Sequence, residues 1–483
     1  MTDHQPVLTA EDYARRLPEG CGVVAVYNHP DAARLCHLAL YAMQHRGQES
    51  AGIATYDGEK VNLHKGLGLV SDVFNEKTLA PLAGSVAIGH VRYSTTGASA
   101  AYNAQPLRAN YRGGHMAIAH NGNLTNADEL ARVLEANGAI FQSTTDSELL
   151  IHLMAQNRSS DFMESLATSL KRLHGAYSMV MLRDDELYAF KDAHGFRPLC
   201  LGSLGENSWI VASESCALDI VGATYLREFQ PGEAIAFRNG GIERSQIIES
   251  PRQAFCVFEL IYYSRPDSIA AGGNIYKFRK RLGEELAAEH PVEADLVISV
   301  PDSSNAAAVG YSQASGLPME IGLVRSHYVG RTFIQPTQTQ RDFGAKMKYN
   351  PVREVLKDKR VVVVDDSIVR GTTSKKIVKL LRDAGAREIH FRVSAPPWKH
   401  PCFYGIDTPD EDQLLANCMT HEEIERWMDV DSLGFISLDG LMRAMPKTLQ
   451  YCTTCFTGKY VDGRPRRSTK HMHGSKEEAS AQA

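Results

Sequence analysis

Residues 361–374 read VVVVDDSIVRGTTS, and this stretch decides the fold of the second half of the chain. Four consecutive valines make a strand buried on both faces, as strands of parallel sheets are. Asp365 and Asp366 stand at its C-terminal end, where open α/β sheets bind their ligands. Ser367, Arg370, Gly371, Thr372, Thr373 and Ser374 follow as a loop predicted to open a helix at Lys375. Backbone N–H groups, hydroxyls and a helix N-terminus together suit a phosphate dianion. Gly371 removes a Cβ where the backbone would approach that anion. The two acids cannot also hold it. They suit ribose hydroxyls, or a divalent metal carrying a second phosphate group. Neither GxxxxGK[ST] nor GxGxxG occurs, which excludes a P-loop and a dinucleotide fingerprint. A helix-capping loop with two solvated acids is the plain alternative, and it leaves the coincidence of strand, acid pair and hydroxyl-rich loop unexplained.

Working outward, apolar strands alternate with helices on both sides of this stretch. KFRKRLGEELAAEH reads as a helix, DLVISVPDSS as a strand and loop, NAAAVGYSQASG as a helix, KKIVKLLRDAGA as a helix and EIHFRVSA as a strand. That rhythm means βαβ units and a parallel sheet. Residues 21 to about 250 differ. CGVVAVY, GIATY, VNLHKG, VAIGHVRY, HMAIAHNG, AYSMVML, ELYAFKD and SWIVASES read as strands, and DAARLCHLALYAMQ as a helix. Further helical stretches lie near Asn126–Asn137 and Ser147–Gln156, so a mostly antiparallel sandwich with covering helices is expected. The change of rhythm puts the boundary near 240–260.

The chain has 483 residues, for which length alone predicts about three domains, with two large ones allowed. Its 43% hydrophobic and 23% charged residues exclude a disordered, collagen-like or coiled-coil protein. A formal net charge of −5 offers nucleic acid no basic surplus. Residues 1–20 are polar, without the apolar core of a secretory signal, and no run of about 18 apolar residues occurs. A soluble, cytoplasmic setting is expected, with no membrane partner. Residues 464–483 are too polar to bury a core and are expected to form a disordered tail.

VVVVDDSIVRGTTS resembles the PRPP loop of type I phosphoribosyltransferases. The resemblance implies that Asp365 and Asp366 contact the ribose and that the following loop holds the 5-phosphate. VPDSSNAAA at 300–308 is similar to the family's pyrophosphate loop, with Ser303 near Mg²⁺. HYVGRTFIQPTQTQRDFGAKMKYNPV holds Arg331, Arg341, Lys346 and Lys348 and looks like a lid. Flanking glycines, cations to neutralise pyrophosphate and the need to exclude water support that reading.

Cys21, considered alone, is a strand cysteine of the kind usually buried for structural reasons. QHRGQESAG at 44–52, GHVRYSTTG at 89–97, HNGNLTN at 120–126 and TTDSELL at 144–150 reverse that reading. Together they resemble the N-terminal-nucleophile glutamine amidotransferases, with residues 1–20 as a propeptide. The resemblance implies an αββα sandwich, Cys21 as nucleophile, and Asn121 with the Gly122 N–H as oxyanion hole. It places Arg92 on the glutamine α-carboxylate and Asp146 on its α-ammonium, with Arg46 and Thr95 supporting the glutamine site.

Cys452 and Cys455 form one CxxC, a weak signal compatible with zinc, redox chemistry or chance. Cys256 and Cys402 could complete four thiolate ligands, and spacing does not separate Zn²⁺ from a [4Fe–4S] cluster. Here resemblance decides. These four fall where the iron–sulfur, propeptide-containing branch of the amidophosphoribosyltransferases places its cluster ligands. Cys36, Cys200, Cys216 and Cys418 are expected to be buried thiols.

The expected architecture is therefore a propeptide (1–20), an α+β glutamine amidotransferase sandwich (21–250), an α/β phosphoribosyltransferase domain with a parallel sheet (251–463) and a tail (464–483). The implied reaction converts glutamine, PRPP and water to 5-phosphoribosylamine, glutamate and pyrophosphate, the first committed step of purine synthesis. Ammonia made at Cys21 would travel internally to the ribose. The resemblance further implies Mg²⁺, a homotetramer and inhibition by purine nucleotides. Two rivals remain: another amidotransferase of the same class, such as a hexosamine synthase, and a PRPP-responsive regulator. The first lacks its sugar-isomerase half here, and the second would need a DNA-binding domain and no Cys21.

Overall fold

The computed structural model describes residues 20–93, 101–112, 114–246, 248–326, 349–406 and 408–464. The first half is built on β1 (Gly22–Tyr27), β2 (Ser50–Tyr56), β3 (Val61–Leu67) and β4 (Val86–Arg92). Next come β5 (Leu107–Tyr111), β6 (Gly114–Leu124), β7 (Gly175–Arg183) and β8 (Glu186–Lys191). β9 (Cys200–Gly205), β10 (Ser208–Ala212), β11 (Thr224–Glu228), β12 (Glu233–Arg238) and β13 (Gly241–Gln246) complete it. One sheet runs β11-β9-β10-β1-β4-β2-β3 and the other β13-β12-β8-β7-β6-β5, antiparallel throughout.

Alternation along each strand explains the layering, because successive side chains point to opposite faces. In β1, Val23, Ala25 and Tyr27 join the core between the sheets, while Val24 and Val26 pack with the helix Ala32–Ala42. In β6, Ala117 and Ala119 face inward, while Met116 and Ile118 meet the helices Ala127–Ala136, Glu148–Gln156 and Phe162–Leu170. Each fully buried leucine of those helices is worth about 1.5–3 kcal/mol. The result is the expected αββα sandwich. β5, β9 and β11–β13 and the helix Phe162–Leu170 escaped the sequence reading. Their apolar runs are short or interrupted, as in CLGSLG and TYLRE.

The second half carries a four-stranded parallel sheet in the order Leu296–Ser299, Arg360–Asp365, Glu388–Val393, Ser432–Phe435. Residues 361–364 form an inner strand, and their four valines divide between two cores. Val361 and Val363 belong to one, Val362 and Val364 to the other. The helix after the phosphate loop begins at Thr372, not at Lys375 as the sequence reading had it. Gly371 is its N-cap at φ +73°.

The two halves share a core. Ala176 and Phe196 of the sandwich join Phe258, Trp398 and Tyr404 of the second half. The rings of Phe196 and Tyr404 stack at 4.2 Å and 13°. Phe255–Cys256 pairs in parallel with Tyr451–Cys452, so the end of the described chain returns to the start of the second half.

Candidate functional site

Cys21 stands immediately before β1, and its thiol is buried with Sγ donating to the Tyr93 carbonyl at 3.4 Å. Burial pushes this thiol up, outweighing the Arg92 guanidinium nearby. It therefore rests as a thiol, and attack on a substrate needs a base beside it. Asn121 and Gly122 lie on β6, which meets β1 across the inter-sheet core. Asn121 Nδ2 donates to Ser213 Oγ at 3.3 Å, and the same oxygen accepts from the Val23 N–H at 3.0 Å. Ser213 thus ties Asn121 to the start of β1. The Asn121 Oδ1 is buried without a partner. Gly122 adopts φ +150°, and a Cβ there would lie 2.1 Å from the Ala176 carbonyl oxygen. Only glycine fits that backbone.

Asp146 accepts from the Leu124 N–H at 2.8 Å and pairs with His120 Nδ1 at 3.4 Å. Burial raises its carboxyl, but His120, the Leu124 N–H and Arg92 outweigh burial and hold it below the ordinary value. His120 is itself held by Ser147 Oγ at 3.1 Å and the Ala176 carbonyl at 3.3 Å. Arg92, buried at the end of β4, and an ionised Asp146, in the turn before the helix Glu148–Gln156, are the charge pair that an amino acid's two α-groups require. Arg46 is fully buried, and its guanidinium engages Glu214, Glu259 and the Cys21 carbonyl. Thr95 lies outside the described residues. The sequence reading missed Ser213, Glu214, His120 and Glu259. His120 stood in a quoted motif, whereas the other three carry no signal in a single sequence.

At the second centre the PDSS turn folds back onto the acid pair. Ser303 Oγ bonds Asp366, Ser304 Oγ donates to Asp365 at 3.3 Å, and Ser367 Oγ donates to Asp366 at 2.6 Å. Burial, then the charge of Asp366, pushes Asp365 well above the usual carboxylate range, and burial raises Asp366 too. Two buried acids that resist ionising are a fit for a divalent cation, which would let both ionise. Thr372 and Thr373 are exposed in the first turn of a helix whose first N–H groups lack partners within it. Arg370 reaches Gln413 at 2.9 Å, and Ser374 is buried. Gly371 is constrained by packing as well as by its positive φ. Its Cβ would meet Leu415 at 2.5 Å and Trp427 at 2.9 Å. Arg331, Arg341, Lys346 and Lys348 lie outside the described residues.

Cys256, Cys402, Cys452 and Cys455 are all buried in the shared core, none in a disulfide. Cys256 and Cys452 are register partners. Burial first, and neighbouring thiols after it, push up Cys256, Cys455 and Cys452, the last to about 11. Among the described residues no three metal-ligating side chains are drawn around one point as a single ion requires. Cys36, Cys200 and Cys216 are buried as expected, but Cys418 is exposed, with Sγ donating to the Asp412 carbonyl at 3.0 Å. It ends a one-turn surface helix, Leu415–Cys418, which hides only Leu415.

The 403–405 segment of the second half touches the strand that carries Asn121 and Gly122. Asn123 Nδ2 donates to the Phe403 carbonyl at 3.0 Å, and a Cβ on Gly405 would lie 3.0 Å from the Gly122 Cα.

Comparison with known proteins agrees with both halves. The glutamine amidotransferase domain family matches residues 90–219, and the phosphoribosyl transferase domain family matches residues 267–407. Amidophosphoribosyltransferase 1, chloroplastic, of Arabidopsis thaliana is 51% identical over 444 residues, covering 92% of this chain and 78% of its own. The amidophosphoribosyltransferase of Bacillus subtilis is 46% identical over 450 residues, covering 92% and 94%. The solved structure of the B. subtilis glutamine PRPP amidotransferase complexed with ADP and GMP superposes with a TM-score of 0.87 at 46% identity, over 91% of this chain and 97% of that one. An amidotransferase sandwich and a phosphoribosyltransferase sheet around one shared core, matched nearly end to end, make this chain a member of the amidophosphoribosyltransferase family.

Proposed function

We propose that this chain makes 5-phosphoribosylamine from PRPP, glutamine and water, releasing glutamate and pyrophosphate, with Cys21 as the nucleophile for glutamine. The reaction is that of its family, the first step of purine biosynthesis, and the chain is a glutamine-dependent pentosyl-transferring enzyme. The observation that carries the residue assignment is the convergence of Cys21, Asn121, Gly122 and Asp146 in one sandwich that contacts the acid-pair domain.

Residues 1–20 are removed, which frees the Cys21 α-amine, a group of reference pKa roughly 7.7–8. The amine takes the thiol proton and the sulfur attacks the glutamine amide carbon. Asn121 Nδ2 and the Gly122 N–H face the oxyanion, and each such donor is worth about 3–4 kcal/mol. Collapse expels ammonia and leaves a glutamyl thioester, which water hydrolyses to glutamate. Arg92 and Asp146 hold the α-carboxylate and α-ammonium, with Arg46 and Thr95 behind them.

In the second domain Ser367, Arg370, Gly371, Thr372, Thr373 and Ser374 bind the 5-phosphate, and Asp365 and Asp366 meet the ribose. Asp365, Asp366 and Ser303 would hold Mg²⁺, which supplies charge against the departing pyrophosphate. Arg331, Lys346 and Lys348, outside the described residues, would neutralise its charge, and channelled ammonia takes the ribose carbon as pyrophosphate leaves. Cys256, Cys402, Cys452 and Cys455 would hold a [4Fe–4S] cluster, which staples distant chain segments. The choice of a cluster over zinc rests on the resemblance to the iron–sulfur branch of the family, since four thiolates suit either. The domains divide at 250, a purine nucleotide inhibits, and the enzyme is a cytoplasmic homotetramer. No helix among the described residues is long and apolar enough to cross a membrane.

PRPP-dependent glutamate release by wild type and Cys21→Ala, with ammonia as the alternative nitrogen source, tests the assignment. Cys21→Ala should keep only ammonia-dependent synthesis. Glutamine-dependent turnover in that variant would remove Cys21 from the mechanism.

A further inference from the structure

We propose that Glu259, which lies outside both matched domain segments, is a positioning residue for the Cys21 nucleophile; the inference rests on Cys21 being that nucleophile. Glu259 opens a π-helical turn, Glu259–Tyr263, between the sandwich and the parallel sheet. Its carboxylate is fully buried and reaches back into the sandwich. Arg46 grips it with both terminal nitrogens, Nη2 to Oε1 at 2.7 Å and Nη1 to Oε2 at 3.0 Å. The third nitrogen of the same guanidinium, Nε, donates to the Cys21 carbonyl at 3.1 Å. Glu259 therefore aims the group that holds the nucleophile's own backbone.

Removal of residues 1–20 makes this hold matter. Cys21 becomes the first residue of the chain and loses its covalent tether on one side. Terminal residues fray unless tied down. The Arg46 bond to the Cys21 carbonyl is such a tie, and a planar guanidinium keeps its direction only if its other nitrogens are fixed. Glu214 cannot do this alone. It meets Arg46 Nη1 at 2.5 Å but also serves His45 at 2.7 Å, the Arg265 N–H at 2.9 Å and Ser268 Oγ at 2.9 Å. Glu259 is aimed in turn by Ser264 Oγ at 2.8 Å and by the Arg197 ion pair at 2.6 Å. The four charges, Arg46 and Arg197 against Glu214 and Glu259, cancel in a cluster at most 1% exposed. A buried ion pair broken on one side leaves an uncompensated charge, so the arrangement is all-or-none.

These contacts end on the Cys21 backbone, so they set the attack angle of the thiol, while Arg92 and Asp146 carry the α-groups of glutamine. Glu259→Gln should lower kcat for glutamine hydrolysis about 10²-fold, the cost of misplacing a reacting group by about 1 Å. KM for glutamine and ammonia-dependent 5-phosphoribosylamine synthesis should stay at wild-type values. The charge-balanced double variant, Arg197→Met with Glu259→Gln, removes one cation with one anion and should show the same kcat loss. Wild-type glutaminase kcat in the double variant overturns the proposal. So does loss of the ammonia-dependent rate in both variants, which would make Glu259 a general structural residue. If Cys21→Ala itself keeps glutaminase activity, the nucleophile assignment is what fails.

Discussion

Gly122→Ala offers the sharpest test of the oxyanion assignment. Gly122 sits at φ +150°, a conformation that costs a residue with a Cβ about 1–3 kcal/mol. The new Cβ would lie 2.1 Å from the Ala176 carbonyl oxygen and 2.8 Å from His120 Nε2. Since Cβ contacts under 3.0 Å essentially never occur, β6 must retreat from β7 by roughly 1 Å. That pairing runs Gly122 opposite Tyr177 and Asn123 opposite Ala176, near the end of a buried ladder. Overpacking of this kind adds about 1–3 kcal/mol. The total, ~2–6 kcal/mol, is large against a typical stability of about 5–15 kcal/mol but need not unfold the chain. The catalytic effect should be greater. A displaced Gly122 N–H removes one oxyanion donor, a loss of about 10²–10³ in kcat. Glutamine hydrolysis and ammonia-dependent synthesis, measured on the same preparation alongside urea unfolding, separate the two effects. Glutaminase kcat should collapse while the ammonia reaction persists. A wild-type glutaminase kcat would refute the role of this N–H, and equal loss of both reactions would trace the defect to folding.

Two further outcomes follow from the buried acids and thiols. Asp365 has a folded pKa raised above its ordinary 3.8, so the folded chain holds its proton more tightly than the unfolded chain does. Metal-free protein should lose stability as pH rises from 3.8 through that raised value, and Mg²⁺ should restore more at neutral than at acid pH. Thermal unfolding with and without Mg²⁺ across this range checks it, and a pH-independent gain would contradict it. Anaerobic purification should yield coloured protein with about four irons and acid-labile sulfide per chain, as a cubane on four thiolates requires. Colourless protein with stoichiometric zinc would overturn the cluster.

Much of the fold was legible because its signals are local. The valine run, the acid pair and the hydroxyl-rich loop lie within residues 361–374, and one strand-to-helix unit positions them all. HNGN is similar: β6 carries Asn121 and Gly122 on adjacent residues, so identity and spacing place both. β9 and β11, short and interrupted, became strands by pairing with each other and, for β9, with β10. The packing of Gly371 against Leu415 and Trp427 was not legible, because both lie more than forty residues away in the chain.

The amino-acid sequence by itself determined the two domain types, the order of their elements and the residue types that chemistry demands, since these depend on periodicity and short spacing. Tertiary structure decided how charge is balanced. Arg46 was visible in QHRG, but its partners Glu214 and Glu259 lie 168 and 213 residues further along the chain. The four cysteines, spread from 256 to 455, came together only when the parallel pairing of Phe255–Cys256 with Tyr451–Cys452 closed the shared core. A buried charge or thiol is satisfied by whatever the fold brings beside it, and only the folded chain says what that is.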